Sequence, residues 1–143
     1  MLESLLQSVI TNTPDKPLVV SQGRTWAASE VENLSDALVS SLFRLGLEPI
    51  DRVAFLLPNC VETIVSYLAC FKGGFVSVPL DYRYRPVQIN YALNHSGAST
   101  LIVHEDRVGE LVAEGVLDGL ERVIVTGGKA RGQLSSLRFT HSS

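Results

Sequence analysis

The sequence predicts an α/β domain in which a parallel β-sheet is flanked by helices and preceded by a small N-terminal hairpin. Short apolar runs alternate with segments of helical periodicity through most of the chain, which is the pattern of βαβ units. The chain has 143 residues, the usual size of one domain. Because 45% of the residues are hydrophobic and 19% are charged, the chain can bury a core and is too apolar to be disordered.

The N-terminal part of the sequence predicts two helices around the hairpin. Apolar residues at helical spacing predict a short amphipathic helix over residues 2–10. Residues 18–21 and 24–26, separated by a turn at Gly23, predict the hairpin. The longest helix is predicted over residues 27–45. Its buried stripe consists of aliphatic residues at three- and four-residue steps, namely Val31, Leu34, Leu38, Leu42 and Leu45.

Four strands of the main sheet are predicted from continuous apolar runs, which are typical of strands covered on both faces. They are residues 53–57, 75–80, 101–103 and 122–126. The remaining residues, 127–143, are rich in glycine, serine and arginine and are predicted to be a flexible tail. The predicted organisation is therefore one α/β segment over residues 1–126, followed by this tail.

Three helices are predicted between these strands. The first has Asn59 as its N-cap and Glu62 as the capping-box partner. The second begins at Pro86, which is tolerated in a first helical turn, and is closed by Gly97. The third covers residues 107–113.

The composition excludes several classes of function. A formal net charge of −3 at pH 7 gives no basic surface for a nucleic acid. No apolar run reaches the ~18 residues that cross a bilayer, and Glu3 stands where a signal peptide carries basic residues. Cys60 and Cys70 lie about 15 Å apart if both are in one helix, which is too far for a disulfide. We therefore expect a cytoplasmic protein with buried free thiols, no nucleic-acid partner and no membrane span.

Residues 125–128, Val-Thr-Gly-Gly, follow a predicted strand and suggest a phosphate-binding loop. The stretch lacks the three spaced glycines of a dinucleotide-binding loop, and Lys129 is followed by Ala130 where a P-loop has serine or threonine. A turn at the end of a strand is the favoured interpretation. The histidines His95, His104 and His141 lie far apart, and no cysteine or carboxylate stands at a metal-ligand spacing from them.

Residues 82–85, Tyr-Arg-Tyr-Arg, alternate aromatic and basic side chains, which can bind an anion or stacked bases. In an acidic chain, two arginines that cover the loop before Pro86 are the favoured interpretation. His95 and His104 are interpreted as polar residues at the ends of elements. These patterns assign no catalytic, cofactor-binding or metal-binding residue.

Two stretches of the sequence resemble the N-terminal region of adenylate-forming enzymes. They are residues 51–59, Asp-Arg-Val-Ala-Phe-Leu-Leu-Pro-Asn, and residues 71–80, Phe-Lys-Gly-Gly-Phe-Val-Ser-Val-Pro-Leu. The second resembles the core motif Leu-Lys-Ala-Gly-x-x-Tyr-Val-Pro-Leu of that superfamily of acyl-CoA synthetases, peptide-synthetase adenylation domains and luciferases. Residues 91–98 and 101–103 are similar to the segment that follows, so the resemblance runs in order over residues 1–126.

The sequence departs from the family pattern at three places. Gly73 stands where the family commonly has alanine, and Ser77 where it has tyrosine. At the start of the long helix only Glu30 and Val31 fit the family motif, and the threonine that could cap the helix is absent. Loss of such a cap costs about 1 kcal/mol if nothing replaces it.

The resemblance implies the N-terminal part of the large domain of an acyl-CoA synthetase. Such an enzyme uses ATP, magnesium and coenzyme A to convert a carboxylate to an acyl-adenylate and then to a thioester. The phosphate loop, magnesium-binding glutamate, ribose-binding aspartate and catalytic lysine of the family do not occur in residues 1–143. The sequence therefore predicts a fragment that is inactive by itself, with no cofactor of its own.

Two other interpretations stay open: a non-catalytic partner-binding or dimerisation module of the same ancestry, and a stand-alone nucleotide-binding domain. Residues 76–83 are closer to the Val-Tyr-Val-Pro-Leu-Asn-Pro-Arg of acyl-CoA synthetases than to adenylation domains of peptide synthetases. The expected partner is the remainder of the enzyme or a second copy of the chain, because a sheet that is apolar on both faces needs cover on both sides. The acyl substrate is not predicted.

Overall fold

A computed structural model describes residues 8, 11–21, 23–127 and 138–140. Apart from Ser8, the helix predicted over residues 2–10 lies outside the described residues, as do Lys129 and His141. The elements in chain order are β1 (Pro17–Ser21), β2 (Arg24–Ala27), α1 (Ala28–Arg44), β3 (Arg52–Leu56), α2 (Val61–Gly73), β4 (Val76–Pro79), α3 (Pro86–Ser96), β5 (Thr100–His104), α4 (Glu105–Ala113), β6 (Arg122–Thr126) and β7 (Arg138–Thr140).

The strands form a separate antiparallel hairpin, β1–β2, and a five-stranded sheet in the order β4-β3-β5-β6-β7. The pairs β4–β3, β3–β5 and β5–β6 are parallel, which confirms the predicted fold class. β7 pairs antiparallel with β6. Residues 138–140 are thus a strand within the stretch that the sequence predicted to be a flexible tail, because an unpaired β6 edge offers them a hydrogen-bonding partner.

The sheet is covered by helices on both faces. Val53 and Phe55 of β3 pack into a core with α1, α2 and the hairpin, whereas Ala54 and Leu56 pack into a second core with α3 and α4. Successive residues of a strand point to opposite faces, so both sets must be apolar. This arrangement explains why the strand runs are continuous rather than alternating.

Helix α1 begins without a capping side chain, as its sequence indicates, but its first amides have acceptors. The amide of Ala28 donates to the Lys16 carbonyl at 3.0 Å, and that of Ser29 donates to the Pro14 carbonyl at 2.9 Å. The Glu30 carboxylate accepts from the Ala27 amide at 3.1 Å. Backbone carbonyls of the preceding segment therefore replace the missing threonine.

Helix α2 corrects one prediction. It begins at Val61 with Cys60 at the N-cap position, so the capping box predicted from Asn59 and Glu62 is wrong. The Val61 amide instead donates to the Ser21 hydroxyl of the hairpin at 3.1 Å. The cap comes from a residue 40 positions earlier in the chain, so the residues around the start of the helix do not predict it.

The other helices follow the sequence closely. Pro86 is the first residue of α3, and Gly97 closes that helix with φ of 71°. α4 starts at Glu105 rather than at residue 107, because His104 caps it. In α1, Val31, Leu38 and Leu42 are fully buried.

Lys72 joins helices α1 and α2. Its ammonium lies 2.8 Å from the Glu32 carboxylate, 2.9 Å from that of Asp36 and 2.7 Å from the Ser35 hydroxyl. The Lys72 and Glu32 side chains are each 18% exposed, so this pair is largely removed from water. None of the described helices is both long and apolar enough to span a membrane.

Candidate functional site at the carboxyl edge of the sheet

In open α/β sheets, ligands usually bind beyond the carboxyl ends of neighbouring strands whose helices leave to opposite faces. β3 leads into α2 on one face, and its neighbour β5 leads into α4 on the other. The residues at or just beyond the carboxyl ends of the four parallel strands are 57–60, 80–85, 104–107 and 126–127. They form the carboxyl edge described below.

The loop after β4 is held by Arg107 of α4. The Arg107 guanidinium donates to the carbonyls of Tyr82 and Tyr84, the latter at 2.6 Å, and pairs with Glu110. It also lies 5.4 Å from the centre of the Tyr82 ring. The Arg107 side chain is only 13% exposed, and its hydrogen bonds hold this loop in place.

The favoured interpretation of the Tyr-Arg-Tyr-Arg stretch, in which arginines cover this loop, applies to Arg83. Arg83 donates to both carboxylate oxygens of Asp81, at 3.1 and 2.9 Å. These bonds lower the pKa of Asp81 to about 2. Arg83 is therefore paired within its own loop, and Arg85 is exposed at the start of α3.

His104 and His95 both lie at the ends of elements, as the sequence predicted. His104 ends β5, and its Nδ1 accepts the Asp106 amide at 3.2 Å. Its ring meets Tyr82 edge-on, with 6.4 Å between ring centres. His95 lies in the last turn of α3 and stacks on Tyr91 at 5.5 Å. Sequence reasoning missed the capping role of His104, although the acidic residues Glu105 and Asp106 that follow it are typical of a first helical turn.

The thiol nearest the carboxyl edge is held neutral. Burial raises the pKa of Cys60 to about 11, and a hydrogen bond and the charge of Glu62 act in the same direction. Burial also raises the pKa of Cys70. Both cysteines are free and buried, as predicted. Because the thiolate is the reactive form, neither is suited to nucleophilic chemistry at neutral pH.

Within the described ranges, no three histidine, cysteine or carboxylate side chains come together as a metal site. Gly127 ends β6 with φ of 113°, a conformation that glycine adopts readily, and this is consistent with a turn. Gly128 and Lys129 lie outside the described residues.

An open groove of about 620 Å³ runs between the edge strand β4 and helix α3. Its apolar and aromatic lining includes Val78, Leu80, Tyr84, Val87, Tyr91 and His95. Val87 and Tyr91 are 73% and 68% exposed. The groove lining has no Asp, Glu, Lys or Arg and is mostly apolar, with Gln88, His95 and Ser96 as its polar members.

Comparison with known proteins gives the origin of this fold. The AMP-binding enzyme family matches residues 6–139. Long-chain-fatty-acid–CoA ligase of Salmonella typhimurium is 28% identical over 140 residues, which cover 97% of this chain and 25% of the ligase. Surfactin synthase subunit 2 of Bacillus subtilis is 30% identical over 104 residues, which cover 73% of this chain and 3% of that protein.

The structure of a fatty acyl CoA synthetase of Mycobacterium tuberculosis has the same fold, with a TM-score of 0.81 at 23% identity over 95% of this chain. The match covers 28% of that synthetase. The chain thus spans only a quarter of the Salmonella ligase and less of surfactin synthase. Because the family match extends over nearly the whole chain and the sheet has the same fold, this chain belongs to the AMP-binding enzyme family.

Proposed function

We propose that this chain is the N-terminal part of an ATP-dependent acyl-CoA synthetase and is inactive by itself. In the whole enzyme, ATP would activate a carboxylate as the acyl-adenylate, and coenzyme A would accept the acyl group. The observation that carries the proposal is the match to AMP-binding enzymes over residues 6–139, which contain the scaffold motifs and none of the family's catalytic motifs.

The acyl-CoA synthetase branch is favoured over the peptide-synthetase branch. The Salmonella ligase aligns with 97% of this chain, against 73% for the surfactin synthase subunit. Residues 76–83 also resemble the acyl-CoA synthetase form of the core motif. The names of relatives that act on long-chain fatty acids point to fatty-acid metabolism, and a cytoplasmic location is part of the same proposal.

Pyrophosphate exchange tests the proposed inactivity. The chain alone should give no acid-dependent exchange of labelled pyrophosphate into ATP, because it has no phosphate loop, metal carboxylate or catalytic lysine. A chimera that carries residues 6–139 in place of the matching segment of the Salmonella ligase should retain exchange. Exchange by the chain alone would show that the active site has been misplaced, and an inactive but folded chimera would contradict the scaffold role.

Calorimetry separates this proposal from a stand-alone nucleotide-binding domain. The chain should bind ATP no more tightly than about 1 mM, which corresponds to only ~4 kcal/mol. Micromolar binding that Lys129→Ala abolishes would favour the nucleotide-binding domain.

The uncharged groove supports a second candidate function, a partner-binding or dimerisation module. Within the part of the chain that the structure describes, β4 is an edge strand with no partner on its outer side. This edge and the exposed side chains of Val87 and Tyr91 form a surface for a second copy or the remainder of the enzyme. Sedimentation at micromolar concentration should show association that Tyr91→Lys abolishes. Val112→Lys, at a 59% exposed position of α4 away from the groove, is the matched control and should associate normally. A non-associating wild-type monomer would contradict dimerisation through this groove.

A further inference from the structure

The cap of helix α4 is made by a side chain that can gain or lose a proton. Helix N-caps are usually oxygen atoms of serine, threonine, aspartate or asparagine, which accept an amide of the first turn. Here Nδ1 of His104 accepts the Asp106 amide at 3.2 Å. An imidazole nitrogen accepts a hydrogen bond only when it carries no proton, so neutral His104 has its proton on Nε2.

The same nitrogen faces a second group. The Oδ2 atom of Asp106 lies 3.4 Å from Nδ1 of His104. Two acceptors at this distance form no hydrogen bond, but a proton on Nδ1 would make the pair a charge-assisted one. Nδ1 therefore has two alternative partners on one residue, the amide when it is neutral and the carboxylate when it is protonated.

Two neighbours limit the movement of the ring. Tyr82 meets it edge-on, and the ring lies so close to Gly127 that a Cβ atom there would lie 2.7 Å from Nε2. The His104 side chain is 16% exposed, so solvent can deliver the proton. Nδ1 can thus exchange the Asp106 amide for the Asp106 carboxylate while the ring stays in place.

Among the described residues, the charged and titratable groups around the ring come from α4 and from the loop after β4. On α4 they are Glu105, Asp106 and Arg107, with Glu110 one turn further on. The loop after β4 contributes the Tyr82 phenol, whose pKa is raised by partial burial and by the charge of Asp106. The β6 end contributes Gly127, which does not titrate. The carboxylate of Asp106 is therefore the acceptor placed to receive a proton carried by Nδ1.

We propose that His104 is a pH-operated cap of helix α4. Neutral His104 holds the Asp106 amide and completes the first turn of the helix. Protonated His104 binds the Asp106 carboxylate instead and releases the amide to solvent. Histidine is the side chain whose ordinary ionisation lies between pH 5 and 8, so a cap made by histidine can respond to pH where an oxygen cap cannot. It acts on the turn that carries Arg107, which fixes the loop after β4 at the carboxyl edge.

Nuclear magnetic resonance of the whole chain tests this proposal. At pH 8 the ring nitrogen shifts of His104 should report the tautomer with the proton on Nε2. From pH 8 to pH 5 the protection of the Asp106 amide, taken as its solvent-exchange rate relative to the intrinsic rate at each pH, should fall about fivefold, the factor for loss of a ~1 kcal/mol cap. This loss should follow the titration of the His104 ring and not that of His95.

The variant His104→Asn provides the matched control, because asparagine is a good cap and does not titrate in this range. Its Asp106 amide should stay protected from pH 8 to pH 5. A proton on Nδ1 of neutral His104 would overturn the proposal. An equal loss of Asp106 protection in the wild type and in His104→Asn would also overturn it. If the variant does not fold, the tautomer and the comparison with His95 in the wild type still decide.

Discussion

Replacing Gly73 with alanine restores the residue that the family commonly has at this position, and we expect it to destabilise this chain. Gly73 is the last residue of α2, and its backbone is not left-handed, so alanine can adopt the conformation. The obstacle is the side chain of Phe75. A Cβ atom on residue 73 would lie 2.3 Å from Cε2 of the Phe75 ring, with two further ring atoms within 3 Å.

The magnitude follows from two opposing effects. Alanine in place of glycine stabilises a helix interior by about 1 kcal/mol, and by less at its last residue. Against this, inserting a methyl group into a filled space costs about 1–3 kcal/mol. The Phe75 ring is 7% exposed and packs on Phe43 with 5.2 Å between ring centres, so moving it sacrifices buried contacts. We expect a net loss of about 1–2 kcal/mol in the free energy of unfolding.

Urea unfolding of the wild type, Gly73→Ala, Phe75→Val and the double variant measures this effect. Gly73→Ala should lower the transition midpoint. In the background of Phe75→Val, which removes the ring, the same substitution should be neutral or stabilising. The cycle should therefore give a coupling free energy of about 2 kcal/mol between the two positions.

Gly109→Ala is the matched control. Gly109 lies within α4, and a Cβ atom added there would meet no other atom within 4 Å, so alanine should stabilise the chain by about 0.5–1 kcal/mol. If Gly73→Ala stabilises the chain to the same extent, the Phe75 ring moves at no cost and the packing argument is wrong.

Three further predictions follow from contacts that the structure defines. Ser21→Ala should lower stability by about 0.5–2 kcal/mol in urea unfolding, because the Val61 amide loses its acceptor. Lys72→Met should lower it by about 2 kcal/mol, because Glu32 is left partly buried without its cation. Alkylation of Cys60 at pH 8 should be slower in the folded chain than in the unfolded one, and stability should fall as pH rises from about 9 to about 11, since burial raises the pKa of this thiol to about 11.

Each of these predictions has its own control. Ser40→Ala, at an exposed position of α1, should leave stability unchanged. If it lowers stability as much as Ser21→Ala does, the effect of Ser21→Ala does not come from the hydrogen bond to Val61. If Lys72→Met and Glu32→Gln are additive in the double variant, the two side chains do not interact. In Cys60→Ala the loss of stability above pH 9 should shrink, and an unchanged profile would assign it to other groups.

The sequence by itself determined the α/β class and most of its elements. The continuous apolar runs of β3, β5 and β6 mark strands buried on both faces, and the predicted strand over residues 122–126 agrees with β6. Pro86 and Gly97 mark the ends of α3 because they act on their own backbone conformation. The order of the motifs also indicated the family, which the comparison with AMP-binding enzymes confirms.

Only the tertiary structure decided the features that depend on residues distant in the chain. The acceptor at the start of α2 is Ser21 of the hairpin rather than the adjacent Asn59. The space above Gly73 is filled by the Phe75 ring, which leaves no room for a Cβ atom there. The strand at residues 138–140 forms because β6 has a free edge. Residue spacing in the sequence predicts hydrogen bonds and contacts between residues that are a few positions apart. The three features named here depend instead on how separate elements pack against each other.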